Sequence, residues 1–87
     1  MTYEARFTRS AKRALTSELP EKVATAVWAF VMGALRENPQ RVGKQLKPPL
    51  FPLYSARRGE YRVIYRIVDD ILVIEIVTIA HRRDSYR

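Results

Sequence analysis

The chain has no cysteine and a single histidine, His81. The first absence excludes a disulfide framework, a thiolate metal site and a cysteine nucleophile. The second excludes a metal centre built from several histidines, so neither a metal nor a cofactor is expected. Lack of cysteine also fits a reducing cytoplasm, the compartment expected here. Glycine is scarce: Gly33, Gly43 and Gly59 are the only three, and they form no phosphate-cradling pattern. Ser10, Ser17 and Ser55 stand in no nucleophile-elbow context, so serine hydrolase chemistry is not expected. Long apolar runs are missing too. The nearly uncharged stretch from Ala24 to Leu35 falls short of the about 20 residues that cross a bilayer. Residues 1–20 alternate charged and apolar side chains, which is not a secretory signal, and no membrane association is expected.

What is present is a basic, globular composition. Hydrophobic residues make up 47% of the 87 residues and charged residues 29%, enough for one small domain over residues 1–87. Sixteen Lys/Arg stand against nine Asp/Glu, a net charge of +7. The surplus is uneven: residues 1–40 carry six basic and four acidic residues, whereas residues 41–87 carry ten and five. A small domain so charged favours polyanions such as nucleic acid or an acidic protein.

Alternation over residues 3–8 predicts a strand. Thr8 can cap a helix from Arg9 to about Glu18, with Ala11, Ala14 and Leu15 on its apolar stripe. Pro20 suits the first position of a second helix that runs to about Glu37. Residues 39–52 hold four of the five prolines and read as a long loop. Three strands follow: Leu53–Arg58, Glu60–Val68 and Leu72–Ile79. The expected class is α+β, in the order β-α-α-β-β-β, a small antiparallel sheet with two N-terminal helices packed on one face.

Tight turns at Arg58–Gly59 and Asp69–Asp70 then sort the side chains. Tyr61, Val63, Tyr65, Ile67, Leu72, Ile74 and Ile76 share an apolar face under the helices. Arg62, Ile64, Arg66, Val73, Glu75, Val77 and Ile79 share the open face, joined by Ser55 and Arg57. Parity beyond Ile79 puts His81 on that open face as well, with Arg82 and Tyr86 just beyond. Two readings stand at this level: a functional cationic cluster, or ordinary solvent-face arginines with Glu75 paired to Arg66 or Arg62. Trp28, Val31 and Leu35 form a second apolar face on the long helix, available for core packing or for a partner.

The segment from Tyr54 to Tyr65, with Gly-Glu-Tyr-Arg at residues 59–62, the Asp69–Asp70 turn and the terminal His-Arg-Arg-Asp-Ser-Tyr-Arg at residues 81–87 together resemble the RelE/ParE toxin superfamily. The likeness is to the RelE branch of type II toxin–antitoxin systems and covers the whole chain. It implies a RelE-like microbial RNase fold and a ribosome-dependent mRNA endonuclease that arrests translation and growth. Family functional positions fall on Arg62, near Arg57, on His81 and Arg82, and on Tyr86. Arg62, His81, Arg82 and Tyr86 are therefore the expected catalytic residues. Lys44, Lys47, Arg57, Arg58 and Arg83 are the expected contacts to RNA and ribosome. The implied partners are the ribosome and mRNA, and an acidic RelB-like antitoxin for which Trp28, Val31 and Leu35 are candidate contacts. The antitoxin would carry the complex to operator DNA. The sequence departs from the family at Ser55, where some members carry lysine, and residues 39–52 hold no acid. The general base is thus unassigned. The alternative is a ParE-like toxin that inhibits DNA gyrase without enzymatic activity.

Overall fold

The computed structural model describes residues 2–83. The first strand, β1 (Glu4–Phe7), leads through Thr8 into α1 (Arg9–Arg13), which continues as a π-helical segment over Ala14–Glu18. The Thr8 hydroxyl accepts from the amide of Ala11 at 3.2 Å, the cap expected of it. A second helix, α2 (Glu21–Phe30), continues as a π-helical segment over Val31–Leu35. The strands β3 (Tyr54–Arg58), β4 (Tyr61–Val68) and β5 (Val73–His81) form the expected antiparallel meander.

The α+β class and the helices on one sheet face are as expected from the sequence, with two differences of detail. The sheet has five strands in the order β1-β5-β4-β3-β2, and β1 pairs with β5 in parallel. The proline-rich stretch is not a bare loop: it contains a short helix α3 (Pro39–Val42) and an edge strand β2 (Lys44–Gln45). Proline at the first helical position suits α3, because its missing N–H has no helical acceptor there. The Tyr65 hydroxyl then fixes this segment by donating to the Pro39 carbonyl at 2.6 Å.

The core lies between the helices and the sheet. Val27, Val31 and Leu35 pack with Val63, Tyr65, Ile74 and Ile76, all essentially inaccessible to water. Burial on this scale stabilises by about 1.5–3 kcal/mol per large side chain. Because Val31 and Leu35 are wholly buried, they present no surface to a partner, which corrects that expectation. Trp28 is different: it is 49% exposed and stacks on Phe7 with ring centroids 5.5 Å apart.

Both turns differ from the simplest hairpins. Arg58 pairs with Tyr61, so the first turn is Gly59–Glu60, with Gly59 at a φ of 61° that favours glycine. The second takes a 3₁₀ turn at Asp69–Ile71 and a left-handed Leu72, so Val68 pairs with Val73. Each shift amounts to two residues and leaves the faces unchanged. A β-bulge does not: Tyr65 pairs with Ile76 but Ile64 with Thr78, so Val77 is an extra residue. Beyond the bulge the faces of β5 exchange. Ile79 therefore enters the core opposite Val63, and His81 lies opposite Tyr61 on the helix side. Both corrections have this one physical cause.

Candidate functional site

The open face of the sheet gathers cations at one end. Arg57 pairs directly with Arg62, and Lys44 with Ser55, so all four side chains leave the same face. Together with Lys47 they line a shallow depression of about 560 Å³, floored by Val42 to Leu46. Among the described residues no carboxylate lines it. Arg62 is partly sunk into the sheet, with its Nε buried. Fixed in this way, its guanidinium loses little freedom on meeting an anion. Farther along the same face Arg66 is held by Glu75 at 3.1 Å. Glu75 thus takes the partner the sequence allowed it.

The strand end adds a second group. The Arg82 amide donates to the Glu60 carbonyl at 2.8 Å, which extends the β4–β5 ladder by one pair. By that register Glu60, Arg62, Ala80 and Arg82 share one face. The Glu60 carboxylate stands 3.1 Å from Nε of Arg82 and 3.6 Å from Nε2 of His81. His81 meets the ring of Tyr61 edge-on at 5.3 Å, and its Nδ1 accepts from the amide of Arg83 at 3.3 Å. The imidazole is therefore on the other face from Arg62, yet it reaches the end of the sheet where Glu60 and Arg82 stand.

Of the expected RNA contacts, Lys44, Lys47 and Arg57 come together around Arg62. Arg58 does not: with Glu60, Lys22, Val23 and Tyr61 it lines a separate depression on the helix side, next to the strand end. Arg83 is exposed just past β5. Tyr86 lies outside the described residues. Sequence reasoning passed over Glu60, which reads as an ordinary strand residue until the turn is known. On the helix side, Trp28, Phe7, Leu15 and Leu19 line a larger groove of about 750 Å³ between α1 and α2. Among the described residues no helix is long and apolar enough to cross a membrane.

Residues 5–86 match the family described as the ParE toxin of type II toxin-antitoxin systems, parDE. A Mycobacterium tuberculosis protein named Toxin RelE is 49% identical over 85 residues, 98% of this chain and 87% of that one. Toxin RelG of the same organism is 45% identical over 87 residues, 100% of this chain and 99% of its own. Among solved structures, the toxin–antitoxin complex RelBE2 of M. tuberculosis contains a chain that superposes with a TM-score of 0.89 at 43% identity. That match covers 94% of this chain and 100% of the other. A free double mutant of E. coli toxin RelE shares the fold, with a TM-score of 0.78 at 18% identity over 98% of this chain and 88% of that one.

Proposed function

Because the chain belongs to the RelE/ParE family of type II toxin–antitoxin toxins, we propose that it is an mRNA endonuclease acting on the translating ribosome. The observation that carries this reading is the depression lined by Lys44, Lys47, Arg57 and Arg62, with no acid in its lining among the described residues. Converging cations without a competing carboxylate suit a phosphodiester, and guanidinium groups contact its oxygens two at a time.

The reaction uses the ribose 2′-OH as nucleophile on the adjacent phosphorus and expels the 5′-oxygen. It needs a base, positive charge for the phosphorane and an acid for the leaving group. Arg62 and Arg82 supply charge, each worth about 3–4 kcal/mol of barrier if preorganised. His81 supplies a proton-transfer group, and Tyr86 orients a phosphate or stacks on a base. An open sheet face does not by itself align three reacting atoms. The ribosome and the path of the mRNA provide that alignment, and Lys44, Lys47, Arg57 and Arg83 grip their phosphates.

The partner that restrains the toxin is an acidic antitoxin of the RelB kind, a reading supported by the similar M. tuberculosis chain standing in a toxin–antitoxin complex, RelBE2. The net charge of +7 supports this. Of the residues expected to touch it, Trp28 is the exposed one. DNA binding by the complex belongs to the antitoxin, and the whole cycle runs in the cytoplasm.

The matched family description favours one other reading, a ParE-like inhibitor of DNA gyrase. Inducing the gene and mapping mRNA 5′ ends beside a DNA-damage reporter separates the two. The endonuclease reading expects new 5′ ends within coding sequence and a silent reporter; the reverse pattern rejects it. Arg82→Ala is expected to abolish growth arrest with the fold intact, and full arrest by a folded Arg82→Ala chain removes Arg82 from the site.

A further inference from the structure

The resemblance leaves the general base unassigned, and the arginines of the cationic face do not release their protons near neutrality, which leaves Lys44 and Lys47 as its nitrogen bases beside the carboxylates of the meander. Four carboxylates lie on the described part of the meander. Asp69 accepts from the Tyr3 hydroxyl at 2.5 Å, and Asp70 shares its turn at the far end of β4. Glu75 is held by Arg66 in mid-sheet. Glu60 alone of these stands at the cationic end, within 4 Å of both an imidazole and a guanidinium. Its backbone is fixed by the Arg82 amide, and its side chain is 61% exposed, open to a substrate. An exposed ion pair of this kind contributes little stability, so holding the turn is not a sufficient reason for the carboxylate.

We propose that Glu60 is the catalytic base of the cleavage and His81 its acid, with Arg82 on the phosphate. The assignment rests on the endonuclease reading above. In this step the Glu60 carboxylate takes the proton of the 2′-OH while that oxygen forms its bond to phosphorus. The P–O5′ bond breaks with its electron pair on the 5′-oxygen, which receives a proton from Nε2 of the His81 imidazolium, a form in which Nδ1 is also protonated and has given up the Arg83 amide. The products are a 2′,3′-cyclic phosphate and a 5′-hydroxyl. Glu60 ends protonated and His81 neutral, and exchange with water restores both. The Glu60–His81 contact opens to admit the phosphodiester, with Arg82 turning from the carboxylate to the phosphoryl oxygens. Among the described residues, the other charged groups that line a depression with Glu60 are Arg58 across the turn and Lys22 from α2.

Single-turnover cleavage on programmed ribosomes tests the assignment, using mRNA with either oxygen or sulfur as the 5′-bridging atom at the cleaved bond. A thiolate leaves without an acid. Glu60→Gln keeps an acceptor for Arg82 in an exposed turn and is expected to fold normally. It should be slower by about 10²-fold or more on both substrates. His81→Gln should be equally slow on the oxygen substrate but approach the wild-type rate on the sulfur one. Added formate should partly restore Glu60→Ala. A Glu60→Gln rate within about threefold of wild type, or its recovery on sulfur, overturns the assignment while leaving the endonuclease reading in place. No cleavage by the wild-type chain overturns both.

Discussion

Tyr65 shows how one buried hydroxyl reaches the site. Its ring stacks on Tyr54 at 5.5 Å, and its oxygen donates to Pro39 while accepting from the amide of Gly43. Burial pushes its pKa well above the usual tyrosine value. Raised in the folded state, it contributes stability that is fully present below the unfolded value of about 10 and is lost as pH climbs beyond it. Urea denaturation should therefore show stability falling above about pH 10, less steeply in Tyr65→Phe, which should also lose about 1–3 kcal/mol at neutral pH. A Tyr65→Phe chain as stable as wild type would remove the hydroxyl from this role. Gly43 is required by space and not by backbone angle: a Cβ there would lie 2.8 Å from the Ser55 carbonyl and strike the Tyr65 hydroxyl. The sequence displays Gly43 as one more glycine in a polar stretch. Its need is set by a tyrosine on another strand, a contact that local pattern does not carry.

At the scale of elements, the two helices, the meander and its open-face arginines were legible, because periodicity and turn residues act locally. The bulge at Val77 was not. Val73, Ile74, Ile76, Val77 and Ile79 make β5 apolar on both faces, so a slip of one residue leaves no trace in the hydrophobic pattern. It is this slip that carries Ile79 inward and His81 away from Arg62. Thr8 stabilises it: the same hydroxyl that caps α1 donates to the Val77 carbonyl at 2.5 Å, and the Thr8 amide bonds the Ile76 carbonyl at 3.0 Å. Thr8→Val should cost about 1–2 kcal/mol in thermal or urea unfolding, from the lost cap and an orphaned carbonyl. A cost near zero would mean the bulge holds without it. The same locality explains Val31 and Leu35. Helical spacing marks them as apolar without saying which apolar face is covered, and the sheet covers theirs.

Over the whole molecule, the helices bury one sheet face and leave the other to collect charge. Arg57 and Arg62 meet there because two strands pair, and Lys44 joins them because Pro39 and Gly43 bring an edge strand alongside. Glu60 and His81 then stand at the open end of β4 and β5, beside that cationic surface. Such a surface binds phosphates on its own but aligns a 2′-OH with its phosphorus poorly, which is why the account requires a ribosome. The direct test is to incubate the purified chain with end-labelled mRNA, free and on programmed ribosomes, and to identify the new 3′ ends. Cleavage on ribosomes that leaves a 2′,3′-cyclic phosphate is the expected result, with free mRNA cut far more slowly. Intact mRNA on ribosomes, or new ends bearing a 3′-hydroxyl, would contradict it.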